Sequence, residues 1–337
     1  MNRFALIITV LVLFALFVYT SCDKEKEECT KSPYIEGLSI DNFPVIDGST
    51  STLPLSTVIA CELMGLKWEW QETTGHGTST WSIEPLIGRS LRKKFDNVVR
   101  SSQTHNSFIN VIDGKVDIAL VARKMSPDEK KYAEEKDVTL IETPIALDAF
   151  IFIVHPVNPI TTLTIEEIQS IYTGNVTDWE ELGLLRSALP EWFREFPMEI
   201  SPYVRNPNSG SQELMDLLVM KDLEYFKGLP IYEERLIFTM QGMLDAVGGL
   251  NPFAIGYTVY FYNEHIVRSG ERLKTIGIEG VLPNKQTISD RTYPFVAEVY
   301  AVIRSDIDKS SMAYKVYEWL QTEAGRQTIS KSGYALN

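Results

Sequence analysis

The chain has 337 residues, a length that suits two domains of about 150 residues each better than one. Hydrophobic residues make up 44% of it and charged residues 23%, which excludes the disordered and low-complexity classes. The formal net charge is −13 and the basic residues form no dense block. This excludes a protein that binds nucleic acid without regard to its sequence, because such a protein needs a concentrated positive surface. Three cysteines and four histidines are too scattered for a metal framework, and we expect no cofactor and no metal.

The N-terminus has the pattern of an export signal. Arg3 precedes an apolar run from Phe4 to Tyr19, which is short for a membrane span and suits a signal-peptide core. The run ends in Ser21-Cys22, which resembles the lipobox of bacterial lipoproteins, although Tyr19 departs from the usual pattern. We expect cleavage after residue 21 and a lipid on Cys22 that anchors the protein at the cell envelope, on the periplasmic face or the outer surface. An ordinary signal peptide or an uncleaved anchor helix is the alternative.

The residues after the export signal are expected to form a tether over 22–37. Asp23 to Glu28 is a run of charged residues, which is typical of a solvated segment. Cys29 and Cys61 remain, and they could pair in an oxidising compartment. The sequence leaves open whether they do.

From residue 38 onward the sequence predicts an α/β fold with mainly parallel sheets, because apolar runs alternate with helical patterns. Buried strands are predicted at 116–121, 149–154, 255–260 and 296–303. Thr164 and Glu167 form a capping box that opens a helix, and Gly174 ends it. Segment 65–90 is rich in Gly, Thr, Ser and Trp and is interpreted as a decorated loop. Trp68 and Trp70 are two residues apart, which favours packing from one strand face over sugar stacking.

Three segments place Ser or Thr hydroxyls and free backbone N–H groups where a helical pattern begins. They are Asp47 to Pro54, Ser101 to Ser107 and Arg205 to Gln212. The start of a helix binds an anion readily, because its N–H donors are unpaired and its dipole end is positive. Arg205 adds a planar fork that matches a tetrahedral oxyanion. One such segment is an ordinary helix cap, but three together predict an oxyanion site.

These motifs resemble those of the phosphate-binding proteins of bacterial ABC transporters, the PstS-like group within the type II periplasmic binding fold. Gly48 to Pro54 is similar to the family's first binding loop, and Arg205 with Ser209-Gly210-Ser211 is similar to its Arg-x-x-x-Ser-Gly-Thr motif. The resemblance covers most of residues 40–337. It implies two α/β lobes joined by two crossover strands, with lobe 1 at 38–147 plus 297–337 and lobe 2 at 148–296.

The resemblance also implies a ligand, partners and site residues. Inorganic phosphate, or a similar oxyanion, would be captured between the lobes and delivered to the membrane subunits of an ABC permease. The implied ligand-binding residues are Ser51, Thr52, Leu53 through its backbone N–H, Thr104, Arg123, Arg205, Ser209, Gly210 and Ser211.

One position departs from part of the family. Some members place an aspartate, which accepts the proton of bound phosphate, where this chain has Ala122 followed by Arg123. Without that carboxylate, the rejection of sulfate must come from elsewhere. Arg123 is either a second ligand cation or the partner in a surface salt bridge.

Two other classes of function are alternatives to transport. An enzyme would use Ser209 or Ser211 as a nucleophile, which requires an activating base or a metal. The histidines show no metal-ligand spacing, and only His105 lies within one of the three segments, so we expect no catalytic residue. A surface lipoprotein of the same fold could instead bind another oxyanion, or act as a sensor or adhesion module.

Overall fold

The computed structural model of the chain describes residues 31–75, 78–227, 229 and 236–336. The predicted export signal, Cys22 and Cys29 lie outside these residues. Within the described ranges, no helix combines the length and the apolar character needed to cross a membrane. Lys31 pairs with Ser39 in an isolated bridge and Ile35 is buried, so the last residues of the expected tether pack against the folded chain.

The elements follow one another in the alternating order that the sequence predicts. The first part contains β1 (Ile46–Gly48), α1 (Leu53–Leu63), β2 (Trp68–Gly75), β3 (Thr78–Pro85), α2 (Arg89–Val98), α3 (Thr104–Ile112), β4 (Ile118–Val121), α4 (Pro127–Glu135) and β5 (Leu140–Val154). The middle contains β6 (Thr162–Leu163), α5 (Ile165–Thr173), β7 (Ser201–Pro202), β8 (Val204–Arg205), α6 (Gly210–Leu214), β9 (Leu236–Ile237), α7 (Met240–Val247) and β10 (Ala254–Val259). The last part contains β11 (Lys274–Thr275), β12 (Gly277–Ile278), α8 (Lys285–Ser289), β13 (Val296–Arg304), α9 (Met312–Trp319) and α10 (Glu323–Lys331).

One sheet runs through the molecule in the order β1–β4–β13–β5–β10–β7, with β11 added to β5. β1 pairs parallel with β4 and β7 pairs parallel with β10, whereas β13 is antiparallel to both β4 and β5. Residues 140–149 of β5 pair with β13, and residues 150–154 pair with β10. β5 therefore continues from one half of the sheet into the other, as a crossover strand does.

All four predicted strands are present, and their ends differ from the predicted ones where polar residues interrupt the apolar pattern. β5 begins at Leu140, nine residues ahead of the predicted start at residue 149. The prediction missed the first part of the strand because Glu142, Thr143 and Pro144 interrupt its apolar pattern. From Ile145 to Val154 every residue is buried, which is typical of a strand covered on both faces. The capping box at α5 is also confirmed.

The loop predicted over 65–90 is instead a β-hairpin. β2 and β3 pair antiparallel over eight residues each, with Trp70 opposite Ile83 and Glu72 opposite Trp81. Thr and Trp favour strands, and cross-strand pairs of this kind stabilise a hairpin. Trp68 and Trp70 lie on β2 and are partly buried against the hydrophobic core, as their spacing predicts.

Cys61 lies on α1, is fully buried and has no disulfide partner among the described residues. Burial is the main cause that raises the pKa of this thiol to about 12, so it is protonated and inert at neutral pH. Since Cys29 lies outside the described residues, the question of its pairing with Cys61 stays open.

Candidate anion-binding site

A cavity of about 200 Å³ is lined by segments from both halves of the central sheet. Its polar lining consists of Ser49, Thr50, Ser51, Gln103, Thr104, Arg205, Ser209, Gly210, Ser211, Thr239, Gln241 and Tyr262. The apolar lining consists of Ala122, Leu214, Met240 and Val259. Among these described residues Arg205 carries the only formal charge, and no carboxylate reaches the wall. The lining is therefore rich in hydrogen-bond donors and positive.

The donors come from helices that begin at the cavity wall. A 3₁₀ turn at Thr50–Thr52 leads into α1, and α3 begins at Thr104. α6 has five residues and continues directly into a π turn at Met215–Met220. These three starts are the segments that the sequence predicts, and the structure brings them together.

A fourth helix start, at Thr239, was missed by the sequence reasoning. Its hydroxyl accepts the N–H of Gly242 at 2.9 Å and caps α7. The signal was present in the sequence, because a threonine precedes Met240 and the apolar positions Met243 and Leu244. Thr239 and Met240 line the same cavity as the other three segments.

Arg205 is buried, with 6% of its surface exposed, and is held from two sides. Its Nε donates to the carbonyl of Ile237 at 3.0 Å and its Nη2 donates to the carbonyl of Phe238 at 3.2 Å. Its backbone N–H donates to the hydroxyl of Tyr257 at 2.9 Å and to Oε1 of Gln212 at 3.0 Å. These bonds fix both the backbone and the guanidinium plane.

The guanidinium of Arg205 forms no ion pair with any carboxylate in the described part of the chain. Burial is the main cause that lowers its pKa from the ordinary value, but arginine remains charged in proteins at neutral pH. A buried charge that protein groups do not neutralise is costly, and an anion in the cavity would compensate it.

Two side chains brace the first two segments. Oγ of Ser49 lies 2.8 Å from Oγ1 of Thr104 and accepts the N–H of Ala122 at 3.1 Å. Behind them, the carboxylate of Asp47 is fully buried and accepts the N–H and the hydroxyl of Ser102. Asp47 was not among the predicted site residues. Its role is to position the wall, because its oxygens are occupied by protein donors.

Most of the predicted ligand residues line the cavity, namely Ser51, Thr104, Arg205, Ser209, Gly210 and Ser211. Thr52 and Leu53 lie directly behind this lining. The hydroxyl of Thr52 donates to the carbonyls of Ser49 at 3.0 Å and Leu120 at 2.6 Å, so it holds the loop to β4.

Arg123 is placed differently from both sequence interpretations. Its Nη1 and Nη2 donate to the two oxygens of Glu129 at 2.7 and 2.8 Å, and the two side chains are 3% and 0% exposed. The pair is therefore buried and not on the surface, and Glu129 neutralises the arginine. Nδ1 of His105 also lies 3.0 Å from Glu129, and neither His105 nor Arg123 lines the cavity.

The described residues contain no group of three or more His, Cys, Asp or Glu side chains placed to hold a metal ion. The buried arginine and the converging helix starts thus form an anion site between the halves of an α/β protein. Residues 90–323 match the family model described as the PBP superfamily domain, and the chain belongs to this family.

Known proteins and structures agree with this assignment. The chain is similar to the phosphate-binding protein PstS of Borreliella burgdorferi, with 23% identity over 265 residues that cover 77% of this chain and 88% of that protein. Its structure is similar to that of a protein from Clostridium perfringens solved with bound phosphate, with a TM-score of 0.60, 20% identity, and coverage of 88% of this chain and 100% of the other. The structure is also similar to that of an ABC-type phosphate transport receptor from Vibrio cholerae, with a TM-score of 0.57 and 20% identity. This match covers 87% of this chain and 100% of the receptor. The predicted α/β fold class of the periplasmic-binding type is confirmed, with a central sheet that contains both parallel and antiparallel pairs.

Proposed function

We propose that this protein binds inorganic phosphate, or a similar tetrahedral oxyanion, at Arg205 and delivers it to the membrane subunits of an ABC permease. The observation that carries the proposal is a buried, unneutralised guanidinium at a cavity whose described lining has donors and no carboxylate. The names of the similar proteins support it, because one is a phosphate-binding protein and another a phosphate transport receptor.

The proposed contacts follow from the lining. Arg205 offers Nη1 and the second hydrogen of Nη2, since Nε and one Nη2 hydrogen are used by backbone carbonyls. Ser51, Thr104 and the segment Ser209 to Ser211 supply hydroxyl and N–H donors. Leu53 supplies a backbone N–H at the start of α1, whereas the N–H of Thr52 donates to the carbonyl of Ser49 at 3.1 Å and only holds the loop. A site made mainly of donors favours the dibasic anion, which has more acceptor capacity and more charge than the monobasic one.

We infer that the lobes are residues 38–147 plus 297–337 and residues 148–296. The change of pairing partner within β5, from β13 to β10, supports a boundary close to residue 148. Thr104 and Arg205 then lie on different lobes, so an anion held by both would stabilise the closed arrangement. A permease could distinguish the loaded protein from the empty one by this closure.

We infer that a lipid on Cys22 anchors the protein at the cell envelope, on the periplasmic face or the outer surface. The support is the sequence pattern alone, an apolar run followed by Ser21-Cys22.

Binding accounts for the site better than catalysis does. Oγ of Ser209 accepts the N–H of Gln212 at 3.2 Å and caps α6, which is a structural use of the hydroxyl. No histidine is present in the described lining, so neither Ser209 nor Ser211 has an adjacent imidazole base.

The proposal is tested by titration calorimetry on protein that has been unfolded, dialysed and refolded to remove any retained anion. We expect one phosphate per chain with wild-type protein and a large loss of affinity with Arg205→Ala. Sulfate and carboxylate anions are titrated in parallel, and release of phosphate from a model ester is measured as the test for an enzyme. Absence of phosphate binding by the refolded protein would overturn the proposal.

A further inference from the structure

Arg268 packs its side chain against the tryptophans of the β2–β3 hairpin. The guanidinium carbon of Arg268 lies 3.7 Å from the ring centre of Trp81 and 5.5 Å from that of Trp70. An arginine over the face of tryptophan is attracted by the ring quadrupole. Arg268 caps the C-terminal end of the helical turn Tyr262–Val267 in the left-handed conformation, with φ of 49°.

The contact continues inward through a second ring. His265 stacks on Trp70 with ring centres 6.4 Å apart and an angle of 23°, and its other neighbour is Phe261 at 4.7 Å. Burial is the main cause that lowers the pKa of His265, and the charges of Arg268 and Lys285 lower it further. The imidazole is therefore neutral at pH 7 and packs between the two aromatic rings without carrying a charge.

The column of rings ends at the first anion-binding segment. Phe261 and Tyr334 are stacked with their centres 3.8 Å apart and their planes within 2°. Tyr334 is 1% exposed, and its hydroxyl donates to the carbonyl of Ser51 at 2.9 Å. Ser51 lines the cavity. A continuous path of contacts therefore joins the hairpin to the wall of the proposed phosphate site.

We propose that the β2–β3 hairpin is a strap between the lobes, and that Tyr334 is a positioning residue that holds Ser51 in place for the anion. The inference rests on the proposed function and on the proposed lobes. Trp70, Trp81 and Tyr334 belong to lobe 1, whereas Arg268, His265 and Phe261 belong to lobe 2. The contacts of Arg268 and His265 with the tryptophans, and of Phe261 with Tyr334, therefore cross between lobes.

The strap acts on affinity through the population of closed protein. Its contacts join protein groups of the two lobes and include no ligand atom, so they raise the fraction of molecules whose lobes are together before phosphate arrives. The apparent dissociation constant equals the intrinsic constant divided by that fraction. Loosening the strap therefore weakens phosphate binding and leaves the loaded structure unchanged. Loss of the Tyr334 hydroxyl acts differently, because it frees Ser51 but keeps the ring stack.

The experiment uses Arg268→Gln, Tyr334→Phe and the matched control Arg272→Gln. Arg272 lies on the same lobe in an exposed ion pair with Asp245 at 3.1 Å, so its loss removes the same charge without touching the hairpin. Lobe separation is measured by double electron–electron resonance between spin labels on Lys130→Cys and Glu166→Cys, which are exposed on α4 and α5. Phosphate affinity is measured by titration on the unlabelled variants.

We expect Arg268→Gln to increase the long-distance population without phosphate, and to weaken phosphate binding about two- to fivefold. The distance at saturating phosphate should equal that of the wild type. Tyr334→Phe should weaken binding about two- to tenfold with wild-type distances. Arg272→Gln should change neither quantity.

Unchanged distances and affinity in Arg268→Gln would overturn the strap, and wild-type affinity in Tyr334→Phe would overturn the role of Tyr334. If wild-type protein bound no phosphate, the proposed function would fail instead, whereas the distances without ligand would still decide whether the hairpin holds the lobes together.

Discussion

Gly210 and Thr104 approach so closely that a Cβ atom on Gly210 would lie 2.5 Å from Oγ1 of Thr104. Thr104 begins α3 and Gly210 begins α6, on the two sides of the cavity. Thr104 is itself held by Ser49, whose Oγ is 2.8 Å away, so it has little freedom to withdraw. The absence of a side chain at residue 210 thus allows the two helix starts to meet.

Gly210→Ala is expected to weaken phosphate binding, because the added methyl group keeps the proposed lobes from closing fully. Overpacking of this kind typically costs about 1–3 kcal/mol, which corresponds to roughly 5- to 150-fold in affinity. The thermal unfolding of the ligand-free protein should change little, since the lobes can separate and relieve the clash. Calorimetric titration and melting curves measure the two effects.

Thr104→Ala provides the control for this clash. Without Oγ1, the nearest atom to the new methyl group is the Cβ of residue 104, at 3.3 Å. The double variant should therefore bind phosphate no more weakly than Thr104→Ala alone. A further loss of the full size seen in Gly210→Ala would show that the contact is not the cause.

Arg205→Ala is expected to remove most of the oxyanion affinity. Truncation of a buried, charge-assisted pair typically costs about 2–5 kcal/mol, or roughly 30-fold to several-thousand-fold. Arg205→Lys should recover only part, because an ammonium group cannot bond the carbonyls of Ile237 and Phe238 and the anion in one plane. Titration of each variant with phosphate measures the loss.

Arg272→Ala serves as the matched arginine deletion on the same side of the molecule. Its guanidinium pairs with Asp245 in an exposed bridge, which contributes little to stability. A comparable loss in Arg205→Ala and Arg272→Ala would mean that general charge, and not the cavity, governs binding.

The sequence predicted the parts of the site that are encoded locally. Hydroxyls before an apolar helical pattern mark a helix start, so Thr104 and Ser209 could be assigned without knowing the fold. The pairing of Arg123 with Glu129 had a local signal that was overlooked. Ser126 and Glu129 form a capping box, which turns the glutamate back toward the residues before the helix.

Contacts between distant segments could not be predicted in this way. Trp70, His265 and Tyr334 are far apart in the sequence, and nothing near any of them specifies the other two. The β2–β3 hairpin was not predicted for a different, local reason. Apolar residues alternate with polar ones only at Trp68 and Trp70 and at Trp81 and Ile83, and the rest of both strands is polar, so the alternation is too short to mark two eight-residue strands.

Phosphate affinity is expected to rise between pH 6 and pH 8. Phosphate loses its second proton near pH 7, within the range of about 6 to 7 for phosphate groups generally, and a lining with donors and no carboxylate favours the dibasic form. Ala122→Asp introduces an acceptor at the wall, so it should flatten or reverse this trend and improve the rejection of sulfate. Titrations at pH 6, 7 and 8 with both anions measure the effect.

His105→Ala is the control for this pH series. His105 contacts Glu129 outside the cavity lining, so its removal should leave the trend with pH in place. Tighter phosphate binding at pH 6 than at pH 8 in both wild type and His105→Ala would show that a carboxylate accepts the ligand proton.

Cys22→Ser is expected to release the protein from membranes. The physical reason is that the lipid on Cys22 is the only stable anchor that the sequence predicts. Cell fractionation followed by a carbonate wash measures the distribution, with Cys61→Ser as a control for loss of a cysteine elsewhere. Retention of Cys22→Ser in the washed membranes would contradict the lipoprotein assignment.

The last prediction concerns a buried carboxyl where β5 changes partners. Asp148 is 1% exposed, and its Oδ1 accepts the N–H groups of Ala149 at 2.8 Å and Phe261 at 2.9 Å. Its Oδ2 has no hydrogen-bond partner among the described residues. Burial outweighs the two hydrogen bonds and raises the pKa of Asp148 from 3.8 to about 7. The folded protein therefore keeps this proton over a range in which the unfolded chain has lost it.

Because the pKa of Asp148 is higher in the folded than in the unfolded protein, its proton contributes to stability. This contribution is fully present below the pKa of the unfolded chain and is lost as the pH rises through about 7, the pKa of the folded protein. Asp148→Asn keeps an oxygen for the two N–H groups and carries no charge, so its stability lacks this dependence. The free energy of unfolding of the wild type should therefore fall relative to that of Asp148→Asn between pH 5 and pH 8, by about 2–3 kcal/mol. Urea unfolding at pH 5, 6, 7 and 8 measures the difference. A constant difference across the series would show that Asp148 is ionised in the folded protein.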